Sequence, residues 1–194
     1  MRYSDTHKEE TRKKVVKAAA RAVRAKGPEG VSVAEVMAEA GLTHGGFYAH
    51  FPNKKALVVS ALEEAFGQSA RRFARMTDGQ APAEALATFV DLYVTPEHRA
   101  NPEGGCPVAG LSSELPRQGL PVREAYERGV RSLVARIANW LPADTAERES
   151  LAASIVAEMA GTVALSRAIS DDDEAAQLLA AARGRIKTRM GIVQ

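Results

Sequence analysis

Between Ser32 and Asn53 the chain has room for two short helices joined by a three-residue turn. Ser32 followed by Glu35 has capping-box spacing and opens a helix through Ala40, with Gly41 placed as its C-terminal breaker. After Gly41-Leu42-Thr43, Thr43 caps a second helix, His44 to His50. That helix must stop at Phe51-Pro52, because the residue before a proline is pushed out of helical geometry. The pattern is helix, tight glycine turn, helix, and the second helix is only about two turns long.

The flanking sequence is helical as well. A first helix is expected from His7 to Lys26, where Val15, Ala19, Ala22 and Val23 recur at helical spacing and Gly27, Pro28 and Gly30 end the pattern. Asn53 caps a longer helix whose Leu57, Val58, Ala61, Leu62, Phe66 and Phe73 supply two adjoining apolar faces. Further helices are expected at Pro82 to Val94, Pro121 to Trp140, Asp144 to Ile169 and Asp171 to Met190. A loop from Thr95 to Gly105 and a short segment from Pro107 to Leu115 lie between them. No strand pattern interrupts this series, so the fold class is all-α. A division into residues 1–53 and 54–194 follows from the change in pattern at Asn53. Val15, Ala19, Val36, Met37, Leu42, Phe47 and Phe51 are the expected core of the first unit.

Charge divides the chain at nearly the same place. Residues 1–55 hold eleven Lys/Arg against six Asp/Glu, whereas residues 56–194 hold fifteen against eighteen. A basic end on a neutral body is the footprint of a polyanion partner, because each neutralised phosphate releases a condensed counterion. The plainer alternative is a solvated basic face. The longest stretch free of charge and histidine, Gly104 to Ser113, is far shorter than the roughly 18 apolar residues of a membrane-spanning helix. No membrane partner is expected, the N-terminus has no apolar core of a secretory signal, and a cytoplasmic location is expected. One cysteine, Cys106, permits no internal disulfide or cysteine-rich zinc site, and no cofactor is called for.

Residues 32–55 therefore read as a helix-turn-helix. That device needs a short second helix whose N-terminal residues reach base edges in the major groove, with hydroxyls, amides and cations fixing it on phosphate. Thr43 offers a hydroxyl, and Gly45 and Gly46 remove side chains that would hold helix and duplex apart. Each glycine costs roughly 1 kcal/mol relative to alanine inside a helix, which favours close approach to a ligand over a purely structural role. His44 and His50 are six residues apart, about 240° around a helix, and so lack the i, i+4 geometry of a zinc pair. Tyr48 has a core-packing alternative, and Lys54 and Lys55 one as solvated charge.

The stretch GVSVAEVMAEAGLTHGGFYAHFPNKKAL, Gly30 to Leu57, resembles the DNA-binding signature of the TetR family of bacterial transcriptional repressors. The resemblance covers roughly the first quarter of the chain. It implies DNA contacts at Thr43, His44, Gly45, Gly46, Tyr48, His50 and Lys54. Tyr48, His50 and Lys54 are implied chiefly on phosphate, and His44, Gly45 and Gly46 where bases are read. Two positions depart from the family pattern, His44 standing where Lys or Arg is frequent and Ala49 where an aromatic is frequent. Operator sequence is therefore not carried over.

The resemblance further implies a homodimer that binds a pseudo-palindromic double-stranded operator and releases it when a small-molecule inducer enters the C-terminal helices. Apolar and amphipathic residues that could line such a pocket are Phe89, Tyr93, Cys106, Leu111, Leu115, Tyr126, Val130, Leu133, Ile137, Trp140 and Met159. Most of them would serve equally as plain core. Small residues such as Ala157, Gly161 and Ala164 permit close helix approach beside Ile155, Met159, Thr162, Leu165 and Ile169, and the last two helices are implied as the dimer face, with Leu178, Leu179, Ala182 and Ile186 as partners. Cys106 precedes a helix start, where amides and dipole favour thiolate and modification could trigger release, and a buried inert thiol is the alternative. Two other classes compete. An enzyme would need Cys106 and His98 as nucleophile and base, for which no orienting third residue is recognisable. A nonspecific DNA-coating protein would bind by charge alone.

Overall fold

The computed structural model describes residues 2–191, with side chains from residue 6 onward, and within them the chain is helical without strands. Its helices are α1 (Arg2–Gly30), α2 (Val33–Glu39), α3 (Lys54–Met76), α4 (Pro82–Tyr93), α5 (Pro96–Ala100), α6 (Pro107–Leu111), α7 (Leu120–Trp140), α8 (Arg148–Ala168) and α9 (Asp172–Arg189). Two 3₁₀ turns, His44–Ala49 and Leu115–Arg117, complete the order.

Most boundaries follow local chemistry. The Ser32, Asn53 and Asp171 side chains each accept a hydrogen bond from the backbone N–H three residues on, capping α2, α3 and α9. Gly41 (φ 76) ends α2 in a Schellman turn, with Leu42 N–H donating to the Met37 carbonyl and Gly41 N–H to that of Ala38. Three expectations need correction. The loop from Thr95 contains α5, because the Thr95 side chain caps it at the His98 N–H and Pro96 suits its first turn. Helix α8 starts at Arg148 rather than Asp144, since Glu147 takes a left-handed backbone (φ 50) and residues 142–145 close a turn. The second helix of the glycine-turn unit is 3₁₀ rather than α. It has no side-chain cap, and Gly45 and Gly46 give it little helical propensity.

Two cores result. The N-terminal one joins Val15, Ala19, Val23, Val36, Met37, Phe47 and Phe51 to Leu57, Ala61 and Leu62 of α3, and extends to Leu111, Leu115, Val122 and Ala125. Leu42 packs at its edge, only partly buried. The second core gathers Phe73, Phe89, Tyr93, Ile137, Ile155, Met159, Val163, Leu179 and Ile186. Helix α3 thus contributes its first turns to one core and Phe73 to the other. Helix α8 is long and apolar enough to cross a membrane, with a mean hydropathy of 1.2 over its best window. Nothing in its sequence contains a long uncharged run, and here Ile155, Val156, Met159 and Val163 bury its apolar side in the second core.

Polar ties hold the helix ends around α5. Arg99 donates to the Ser166 and Ile169 carbonyls and pairs with Asp172 at 2.7 Å. The His98 ring lies between two backbone groups: Nδ1 is 2.7 Å from the Tyr93 carbonyl and Nε2 accepts from the Cys106 N–H at 3.0 Å. This pairing requires a neutral ring protonated at Nδ1. Burial holds the His98 pKa down at about 4, against 6.5 for the free side chain.

Leu62→Ala, which empties a fully buried site, should cost about 2–5 kcal/mol in denaturant unfolding. A histidine with a depressed folded pKa stabilises the fold above its unfolded value and loses that contribution as pH falls toward the folded value. Stability should therefore decline as pH falls from 6.5 toward 4, and His98→Gln should flatten that part of a urea-midpoint profile while lowering the midpoint at neutral pH.

Candidate nucleic-acid interface

The 3₁₀ turn sorts its side chains by their distance from the core. Phe47 and Phe51 point inward, both 2% exposed and stacked with ring centroids 5.7 Å apart. Tyr48, edge-on to Phe47, is 71% exposed, so the core-packing alternative for it fails. Thr43, His44 and Gly45 are exposed and Gly46 is half-buried. The Thr43 side chain does not cap the turn, contrary to expectation, which leaves its hydroxyl available at the surface.

Neither glycine is required by the fold around it. Both lie outside the positive-φ glycines of the described residues. A Cβ at Gly45 would meet nothing within 4 Å, and one at Gly46 would make ordinary contact with Met37 Cε at 3.6 Å. The two residues therefore weaken the turn without any compensation from within the chain.

Cations border this surface. Lys54 Nζ donates to the Glu29 carbonyl at 2.8 Å, which ties it to the end of α1 and leaves its other two N–H groups without an assigned bond. His50 is half-buried beside Lys8 and Arg12, and its Nδ1 finds no partner in the described chain. Desolvation, then those two cations, lower its pKa, so the ring is neutral near pH 7 and Nδ1 can accept or donate. Arg12 also sits over the Phe51 ring at 4.9 Å and donates to Ser60 Oγ. Its place beside His50 was not singled out from the sequence, where the two are far apart. The structure brings all seven sequence-derived positions onto or beside one turn.

The residues named for a ligand pocket separate into groups. Phe89, Tyr93, Leu111, Leu115, Ile137 and Met159 are core side chains. Tyr126 and Val130 line a groove of about 820 Å³ formed by α1, α6, α7 and α8. Cys106 and Leu133 border a cavity of about 130 Å³ beside Phe66 and Phe73, and Trp140 lies in a surface cleft near Asn139. The groove's remaining wall, including Arg24, Val134, Val156, Ala157 and Arg167, was missed because α1 and the far end of α8 meet only on folding.

Cys106 stands before α6 as expected, but it is 5% exposed and burial pushes its thiol pKa up, with the adjacent Tyr93 hydroxyl only partly offsetting this. A thiol so placed is mostly protonated. The Tyr93 hydroxyl beside it makes no hydrogen bond of good geometry. The His98 nitrogen nearest Cys106 is engaged by the backbone N–H, so no nucleophile–base pair forms.

The residues named for a dimer face are mostly inside the protomer. Ile155, Met159, Thr162, Leu179 and Ile186 are buried, and Leu178 and Ala182 are half-buried. Of the α8 residues named with them, Ala157 and Leu165 do face outward, beside Ser154 and Ala168, with Gly161 at the margin and Leu165 63% exposed.

Gly45→Ala separates the two explanations of the glycine pair. Equilibrium unfolding should show a variant as stable as the parent, or up to about 1 kcal/mol more stable. Duplex binding by the same variant should be weaker.

Comparison with known proteins agrees with this geometry. Residues 15–61 match the family model for bacterial regulatory proteins of the tetR family. Over 80 residues the chain is 31% identical to an uncharacterized HTH-type transcriptional regulator, YerO, of Bacillus subtilis (strain 168); the match covers 40% of this chain and 28% of that protein. The fold resembles a TetR transcriptional regulator from Chloroflexus aurantiacus J-10-fl at 25% identity, with 96% of each chain covered and a TM-score of 0.77. It also resembles FadR from Bacillus subtilis, solved in complex with stearoyl-CoA, at 18% identity, covering 93% of this chain and 98% of that one with a TM-score of 0.65. The fold is that of TetR transcriptional regulators. Residues 15–61 are thus a segment of the tetR-family DNA-binding type, carried on a fold similar to that of TetR transcriptional regulators.

Proposed function

We propose that the protein is a dimeric repressor that reads a pseudo-palindromic operator and is released by a small-molecule inducer. Residues 1–53 serve as the reading unit and residues 54–194 as the regulatory and dimerisation unit. The observation that carries this reading is the solvent-facing turn with two glycines that nothing in the chain explains. Removing Cβ atoms lets His44, Gly45 and Gly46 approach base edges. Thr43, Tyr48, His50 and Lys54 hold the turn on phosphate. Two such turns about 34 Å apart would read half-sites one helical turn of DNA apart.

Dimerisation through α8 and α9 fits the outward side of α8. Gly161 and Gly184 each have open space where a Cβ would stand, and both sit in helix interiors. Close helix approach by a second copy accounts for glycine there, with Leu165 as the large apolar contact. Of the two release routes, ligand entry has an 820 Å³ groove to serve it. FadR, with the same fold, holds stearoyl-CoA. Release through Cys106 would need an electrophile to reach a buried, protonated thiol. If electrophile-induced release survives Cys106→Ser unchanged, that route is removed.

Selection of bound sequences from a random duplex pool, at about 0.15 M salt, tests the reading. The expected result is a pseudo-palindromic consensus, bound at least about 1,000-fold more tightly than scrambled duplex. Absence of enrichment would leave charge-driven coating of DNA. Lys54→Ala should weaken binding to all duplexes and reduce the salt slope by about 1, whereas His44→Ala should alter the selected consensus.

A further inference from the structure

The cavity of about 130 Å³ bordered by Cys106 and Leu133 lies between α3 and α7, and small residues make room for it. Gly67, Ser69 and Ala70 line it from α3, and Gly129 and Ser132 from α7. Gly129 is fixed by its neighbour. A Cβ there would stand 2.3 Å from Cδ2 of Phe66, so only glycine lets that ring lie against the α7 backbone. Phe66 and Phe73, two turns apart on one side of α3, form aromatic walls, and Leu133 supplies an aliphatic one. Phe66 is also edge-on to Tyr126 at a centroid distance of 5.6 Å, which joins this wall to the groove that Tyr126 lines. None of the lining residues belongs to α8, so a second copy seated on α8 covers none of this wall.

The polar groups around the cavity are few and unequal. No acidic residue lines it, and its one cation is Arg136. Arg136 is half-buried, and among the described residues its side chain has neither a hydrogen bond nor an ion pair. Asp78 shares the adjoining cleft with Arg136 without pairing to it, which disfavours an anion in the cleft and leaves the cavity side as the place for one. Ser69, Ser132 and the protonated Cys106 thiol add neutral donors. A partly desolvated guanidinium beside a hydrocarbon wall gains most from an anion that arrives with its own apolar body. Size and wall chemistry restrict that body. An apolar cavity of about 150 Å³ holds one benzene, so this one admits a single ring and no fused pair. Two phenyl side chains on the wall favour edge or offset contact with an aromatic guest over contact with an alkyl chain.

We propose that this cavity binds a monocyclic aromatic carboxylate, its ring against Phe66 and Phe73 and its carboxylate paired with Arg136. This names a ligand class for the response proposed above and rests on that reading for its regulatory meaning. Both phenylalanines belong to α3, whose first turns complete the core beneath the recognition turn. A guest that spreads α3 from α7 therefore acts on the helix that supports the reading unit.

The test is calorimetry on the full chain without DNA, using benzoate and 4-hydroxybenzoate, each beside its primary amide, with hexanoate as an open-chain acid. At least one aromatic acid should bind saturably and about tenfold or more tightly than its amide and than hexanoate. Arg136→Gln should erase the difference between acid and amide. Ala70→Leu, which fills the cavity, should weaken both together, and if that variant fails to fold, Ser132→Leu does the same from an exposed position on α7. The proposal is overturned if neither aromatic acid binds, if amides or hexanoate bind equally well, or if folded Arg136→Gln keeps the preference for the acid. Binding through Arg136 that leaves duplex affinity unchanged would support the site and remove it from the release mechanism. Sequence-selective DNA binding with no aromatic acid bound would overturn the site alone, whereas acid binding without sequence-selective DNA binding would keep the site and sink the functional reading.

Discussion

Everything in this molecule depends on α3 being shared by two cores. Its first turns, through Leu57, Ala61 and Leu62, complete the packing around α1, α2 and the recognition turn. Phe73, farther along, stacks among Phe89 and Tyr93. Helices α1 and α2 with one 3₁₀ turn could not bury enough apolar surface alone, so the reading unit borrows surface from the body. The same sharing brings Leu111, Leu115, Val122 and Ala125 against the N-terminal core, where a movement of α6 or α7 would be felt directly.

A second set of ties reinforces the junction at the end of α1. Gly27 (φ 72) breaks that helix with the Glu114 carboxylate lying where a Cβ would stand. Gln118 donates to Glu29, and Lys54 donates to the Glu29 carbonyl. The lysine implied on phosphate is thus anchored to the segment that meets the regulatory helices. The groove arginines lie on the same path, Arg24 on α1 and Arg167 reaching the Ala109 carbonyl of α6. Rigid packing of this kind transmits small displacements because close-packed interiors have little slack.

The recognition turn illustrates a trade between local stability and surface access. Phe47 and Phe51 anchor it from below, which frees Tyr48 to stand 71% exposed. Two glycines lower its helical propensity, and it takes 3₁₀ rather than α geometry. A locally weak segment held by a strong core can still present its surface in one register.

Much of this was legible in the sequence, because caps, breakers and apolar periodicity act over a few residues. Ser32, Gly41 and Asn53 place α2 and α3 through hydrogen bonds and backbone angles that neighbours three residues away decide. The helix-turn-helix and its exposed residues are local in the same sense. Helical spacing does tell an apolar face from a polar one, but not which other helix that face meets. Ile155, Met159 and Ile186 therefore read as a dimer face together with Gly161 and Leu165; the first three proved to be protomer core, and only the latter two lie toward the outside. Arg24 and Arg167 are 143 positions apart, and only the packing of α1 and α8 around α6 brings them to one groove. By itself the sequence determined the helices, their ends and the reading turn, through short-range chemistry. The tertiary structure alone decided which faces were buried, where the groove opened and which charges it left unpaired, because those depend on contacts between residues far apart in the chain.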